Sequence, residues 1–285
     1  MQHDLHMHMI LDGVDFRAAI AAHREAPCDA IIRSRLEQYR ANGITFLRDG
    51  GDAWDVSLRA RELAKDYGID YRSPAFPIYK KGHYGSFIGR SFSCIEDYRR
   101  LLDALHEKRA DFVKLMISGL IDFSKPNTLT EEGLAAEEIC HLVELAHAEG
   151  FAVMLHCNGD TAANAAMDAG AESIEHGAFF SQETLLRLAR TRTLWVPTLS
   201  TIGNLIGCGR YPDAVLRPLL QRQQENVAFV AENGGLIGLG TDAGAYRVPH
   251  AEAVSHERNY LRSIPDELLR EAVSFVRLQK PARKT

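Results

Sequence analysis

Three histidines and an aspartate fall within residues 3–8, in the stretch HDLHMH. Residues two apart on a β-strand face the same side. His6 and His8 can therefore present two imidazoles to one metal ion, which an alternating H-x-H does with little strain. Asp4 shares their parity and is placed to touch the site or to orient a ligand. His3 has the opposite parity and would point away. Alone the pattern is a weak signal, since surface strands carry such pairs by chance. A purification-tag remnant is the other reading, and the interposed Leu5 and Met7 argue against it.

Further residues carry matching chemistry. Lys114 sits in the apolar run DFVKLMIS. An isolated buried ammonium costs several kcal/mol unless it is paired or neutralised. Either its stem is buried and its head reaches water, or it is neutral and free to react or be modified. His156 ends the strand-like FAVML, His176 ends ESIEH, and Asp242 follows GLIGLGT, whose glycines allow a tight turn. AANAAMDAG lies between the two histidines as a short helix, so one strand–helix step carries each to an equivalent place on adjacent strands. A lone strand-end histidine is more often structural, and a lone aspartate in GTDAG more often caps a turn. The set, on one rim, is what points to a metal centre.

Such a rim needs strands that end at these residues. Strand-like segments fall at 3–8, 44–49, 69–76, 111–117, 151–156, 172–176, 193–199 and 235–241, alternating with helical patterns. Val56, Ala60, Leu63, Ala64 and Tyr67 keep helical spacing up to Gly68. Ile139, Leu142, Val143 and Ala146 do so up to Gly150, with Thr128 to Glu131 as an upstream capping box. VKLMI and FAVML are near-continuous apolar runs, as parallel strands covered on both faces require. This predicts an α/β protein, a (β/α)8 TIM barrel with function at the C-terminal strand ends. A doubly wound open sheet gives a similar pattern. Segments 77–92 and 200–213 read as long loops, where substrate contacts would lie.

At 285 residues, 46% of them hydrophobic and 25% charged, the chain suits one globular barrel domain over 1–285, with 275–285 read as a disordered tail. A net charge of -5 gives no footprint for nucleic acid. No apolar run reaches the roughly 18 residues of a membrane helix, and the start lacks the apolar region of a signal peptide. Cys28, Cys94, Cys140, Cys157 and Cys208 are scattered without a C-x-x-C pair, which reads as reduced thiols of a cytoplasmic protein. The expected partner is a small-molecule substrate, not nucleic acid or membrane, and a homo-oligomer is compatible.

On these residues the chain resembles the amidohydrolase superfamily: DLHMH, Lys114 in FVKLMISG, His156 in MLHCNG, His176 in IEHGAF and Asp242 in GTDAG. GITFLRDGG, KLMISG, IEHG and LGTDAG are similar to its prolidase-like and imidazolonepropionase-like branch. The resemblance spans residues 4–242 and implies a metal-dependent hydrolase on a (β/α)8 barrel. In the binuclear case it implies that His6, His8 and Asp242 bind the more buried metal and His156 and His176 the second. Lys114, carboxylated, would bridge both; a single-metal site is the other form. Two divalent cations stabilise a carbamate far better than an ammonium, which accounts for a lysine among apolar neighbours. The donor set suits zinc, and manganese, iron, cobalt or nickel as well.

The implied chemistry is attack of a metal-activated hydroxide on a polarised carbonyl, with Asp242 shuttling the proton to the leaving amine. His83, in KGHYG, matches a Gly-His loop position of this branch that would touch substrate. Tyr84, Arg210, Tyr211 and Arg247 lie on rim loops as candidates to hold a carboxylate, and His250 and His256 read as structural. Relatives usually carry a small β-sandwich built from segments on either side of the barrel. Only three residues precede Asp4, so that domain is expected to be missing. The expected reaction is cleavage of an amide C–N bond in a dipeptide or N-acyl amino acid. Hydrolysis of a lactone, cyclic amide or phosphotriester, or a non-catalytic barrel that binds metal or ligand, are the alternatives.

Overall fold

The computed structural model describes residues 2–279. Its strands are β1 (Gln2–Met7), β2 (Ile44–Asp49), β3 (Asp70–Arg72), β4 (Pro77–Lys80), β5 (Arg90–Phe92), β6 (Val113–Met116), β7 (Val153–Cys157), β8 (Ser173–His176) and β9 (Leu194–Val196). They form two parallel sheets in the orders β1-β2-β3 and β5-β4-β6-β7-β8-β9. The protein is thus α/β with parallel sheets.

The expected strand at 69–76 is broken. Pro74, with no N–H to give, and Ala75, at φ 61°, interrupt it, and pairing resumes at β4. Across this break Asp111 N donates to Ser73 O at 2.8 Å, linking the approach to β6 with the end of β3. The segment expected as a strand at 235–241 forms a single isolated bridge, Trp195 to Ile237, and a second, Met7 to Ala243, follows just beyond it. It still runs between β9 and β1: Gly238 N donates to Trp195 O at 2.8 Å, and Leu5 N to Leu239 O at 2.9 Å. Glycine there permits close approach, since a Cβ on Gly240 would lie 2.5 Å from Val196 Cγ1 and 2.8 Å from His6 N.

Two expected loops contain regular structure. Segment 77–92 holds β4 and β5, and 200–213 begins with the helix Ser200–Gly203. The capping box at 128–131 does not form. The next helix starts at Ala136 without a side-chain cap, and Glu131 instead accepts Tyr84 N at 2.7 Å. Of the tail expected as disordered, residues 275–278 are the last turn of the helix Asp266–Leu278, and 280–285 lie outside the described residues.

Helices cover the sheets with their apolar stripes. Ile95–Glu107 buries Tyr98, Leu102 and Leu105, and Ala136–Ala148 buries Ile139, Leu142 and Val143. Each such side chain contributes about 1.5–3 kcal/mol. No helix among the described residues is long and apolar enough to cross a membrane. Register then decides which side chains meet. Lys114 pairs with Met154, and His156 pairs with Met116 and Glu175, so Lys114, His156 and Glu175 share one face. His176 pairs with Cys157, one residue off the equivalent place the sequence suggested.

Candidate metal centre and its cavity

Ligand atoms of His6, His8 and Asp242 all lie within 4.8 Å of one another. Asp242 Oδ1 is 3.7 Å from His6 Nε2 and 3.5 Å from His8 Nε2. The His176 ring lies 5.1 Å from that of His6 and 4.6 Å from that of His156, so the four imidazoles are contiguous. His176, Thr198 and Asp242 have φ of 71°, 49° and 58°. Such left-handed backbone is strained for residues other than glycine and gathers where a site dictates geometry. At His176 it re-aims a side chain that strand parity would send away from His156.

Neighbours fix the available nitrogens. His176 Nδ1 meets Thr198 Oγ1 at 2.7 Å, leaving Nε2. His156 Nε2 meets Gly119 O at 3.1 Å, leaving Nδ1. Asn158 Nδ2 donates to the same carbonyl at 3.0 Å, and Asn158 Oδ1 accepts Ala178 N at 2.9 Å, which ties the two strand ends together. His6 Nδ1 lies 2.8 Å from Glu175 Oε2, an oblique contact in which neither atom completes a hydrogen bond. Gly50 leaves room for His8, because a Cβ there would fall 2.2 Å from His8 Cε1.

Burial, then the Lys114 charge, pushes His8 down to about 3. The same two causes push His156 down to about 3. Burial does the same to His6 and His176, well below the usual imidazole range. All four are neutral near pH 7 and keep lone pairs for a cation. Burial raises Asp242 and lowers Lys114. Lys114 Nζ is buried without a hydrogen-bond partner. Neutral imidazoles, a carboxylate and a partnerless buried amine form an unstable core by themselves. They fit divalent cations, and a carboxylated lysine would give the amine's position the anionic oxygens it lacks.

These residues form the floor of a cavity of about 550 Å³, lined also by Tyr84, Arg210 and Tyr211. The Arg210 guanidinium stacks 5.5 Å over Tyr211 and 4.5 Å over Tyr246. Two residues expected there lie elsewhere. His83 does not line the cavity; its Nδ1 faces Glu131 Oε1 at 3.6 Å. Arg247 is exposed outside it, held by its backbone to Gly13 and Asn204. A residue's place on a loop does not fix which way it faces. Asp4 is not among the clustered donors: it accepts Thr241 N at 2.9 Å and Thr241 Oγ1 at 2.6 Å. His3 is buried too. His250 bonds Leu11 O at 2.8 Å and Tyr39 Oη at 3.0 Å, and His256 faces Asn204 at 3.2 Å.

Sequence reasoning missed Glu175, Arg48, Thr198 and Asn158. Glu175 Oε1 accepts Arg48 Nη2 at 2.7 Å and Ser173 Oγ at 2.8 Å, and Arg48 Nε donates to Leu5 O at 2.6 Å. A charge inside an apolar strand, the signal that singled out Lys114, is present at both Glu175 and Arg48.

No protein-family model matches the chain. It is 35% identical over 109 residues to an uncharacterised protein of Mycobacterium tuberculosis, covering 36% of this chain and 30% of that protein. It is 25% identical over 207 residues to an ochratoxinase of Aspergillus niger, covering 71% of this chain and 42% of that protein. The chain thus spans less than half the length of these curated relatives. The structure of A. niger ochratoxinase superposes with a TM-score of 0.76 at 20% identity, over 98% of this chain and 71% of that one. A Xaa-Pro dipeptidase with bound methionine does so at 0.75 and 18% identity, over 99% and 76%. The chain shares the fold of these two solved structures along nearly its whole length.

Proposed function

We propose that this protein is a metal-dependent hydrolase that cleaves the amide bond of a small molecule, a dipeptide or an N-acyl amino acid. The observation that carries the reading is the convergence of His6, His8, Lys114, His156, His176 and Asp242 on the floor of one cavity. The fold would be a (β/α)8 barrel in which the bridged segment near Ile237 serves as the eighth strand. His6, His8 and Asp242 would hold one divalent cation, zinc first. His156 and His176 would hold a second, with Lys114 carboxylated between them. Bound there, such cations polarise a carbonyl and acidify water.

The chain's own groups do the rest. Asp242 takes a proton at its carboxylate from the attacking water and returns it to the departing nitrogen. Thr198 and Gly119 hold the protons on the far nitrogens of His176 and His156. Tyr84, Arg210 and Tyr211 line the space above and bind the substrate. The likeness to a dipeptidase supports an amide rather than another bond.

The test is metal analysis together with turnover of dipeptides, N-acyl amino acids, a lactone and a phosphotriester. Amide turnover that chelation abolishes and zinc restores is expected. Asp242→Asn is expected to lower kcat at least about 100-fold. Full activity after chelation would overturn the metal reading, and turnover of the lactone alone the amide reading.

A further inference from the structure

Among the described residues five large apolar side chains are exposed, and four of them, Val14, Phe16, Leu120 and Tyr246, line this one cavity. Val14 is 76% exposed and Phe16 46%. Soluble proteins rarely gather exposed apolar surface without a ligand for it. A second observation joins the rim to the floor. Rings follow one another from buried His156 to Tyr84 at 4.8 Å, from Tyr84 to Phe87 at 5.8 Å, and from Phe87 to exposed Phe16 at 5.9 Å. Each spacing is that of rings in contact. The series starts at a residue of the proposed metal centre and ends in solvent.

We infer that this ring series is a binding track for a large apolar arm of the substrate, aromatic by preference, that extends from the scissile amide to the mouth. The inference rests on the amide-hydrolase reading and narrows its substrate class. A small dipeptide would leave Val14, Phe16 and Phe87 wet. An aromatic or long-chain amide covers them, and the area removed from water supplies affinity along the arm. Tyr84 and Phe87 then act as specificity-determining residues, because they decide which arm fits and not whether the bond breaks. Phe16 and Val14 extend the same surface at the rim.

The test uses the full chain loaded with zinc. One series is N-acetyl-, N-hexanoyl-, N-benzoyl- and N-naphthoyl-alanine. A second is N-acetyl-alanine, -phenylalanine and -naphthylalanine, which puts the arm on the amine side. In one series kcat/KM is expected to rise about fourfold for each methylene equivalent that reaches the track. Phe87→Ala and Phe16→Ala are expected to lower kcat/KM for the naphthyl member about tenfold more than for the acetyl member. Val14→Ser, at the most exposed of the cavity's apolar positions, is expected to do so more weakly and leaves the core intact. Fluorescence titration with N-naphthoyl-alanine measures binding separately. Phe16-dependent binding without turnover would uphold the track and defeat the hydrolase reading. Hydrolysis that is flat across both series and unchanged by the variants would overturn the track and leave the hydrolase reading standing.

Discussion

His6 Nδ1 stands 2.8 Å from Glu175 Oε2, deep in the protein, and the other oxygen of that carboxylate holds the guanidinium of Arg48 at 2.7 Å. An imidazole of β1 and a guanidinium of β2 thus flank one carboxylate of β8. A carboxylate against the far nitrogen of a ligating imidazole orients the ring and raises its basicity. Glu175→Gln is therefore expected to weaken zinc binding about 10- to 100-fold, read by competition with a chromophoric chelator. Undiminished affinity would show that the contact does not steer His6.

Arg48 bears on stability more than on chemistry. Both it and Glu175 are buried, at 1% and 0% exposure. Arg48→Met leaves the carboxylate without its cation and is expected to destabilise the fold by about 3–5 kcal/mol in a urea titration. Adding Glu175→Leu is expected to recover much of that loss, because the uncompensated charge is then gone. A single variant as stable as the parent would show that the Arg48–Glu175 contact does not hold the fold together.

Gly50 makes a steric prediction. Its missing Cβ is what admits the His8 ring, which would otherwise meet it at 2.2 Å. Gly50→Ala is expected to push His8 aside and reduce zinc affinity by about tenfold or more. The melting temperature is expected to move far less than the affinity, and equilibrium dialysis beside a thermal melt separates the two.

The acid side of the stability curve follows from the depressed histidines. His250, pushed down to about 3 first by burial and then by the Arg35 charge, stays neutral in the folded chain, while the unfolded chain protonates it near its ordinary 6.5. Its contribution is complete above about pH 6.5 and is lost as the pH falls toward about 3. Buried carboxyls such as Asp49, raised by burial to about 7, run in the opposite sense, so the comparison is between variant and parent. In metal-free protein, His250→Gln is expected to flatten the acid limb by about 1 kcal/mol per pH unit between about pH 6 and pH 4. An unchanged limb in urea titrations would mean that His250 is charged when folded.

The elements and the residues that cluster in the cavity are legible where each leaves a local mark. Strand parity placed His6 and His8 together, and a lysine in an apolar run stood out as Lys114. Glu175 carries the same mark as Lys114, a charge inside a buried strand, beside the histidine that ends it. Thr198 and Asn158 left none, because ordinary polar residues gain their roles only from the partners that folding brings. The irregular stretch around Ile237 has the apolar pattern of a strand. Its glycines serve close approach to β9 and β1 and break the regular pairing. His83 and Arg247 lie off the cavity for a third reason, since facing is set by contacts distant in sequence.

The bond from Thr241 Oγ1 to Asp4 Oδ2, 2.6 Å long, joins residues 237 apart, and with the bonds from Asp242 N to His6 O and from His8 N to Ala243 O it seats Asp242 beside His6 and His8. Synthesis runs from residue 6 toward residue 242, so a nascent chain displays two histidines long before it can offer the third donor. Neither half of the described residues therefore holds all three of the clustered donors, and only the folded chain brings them within 4.8 Å of one another.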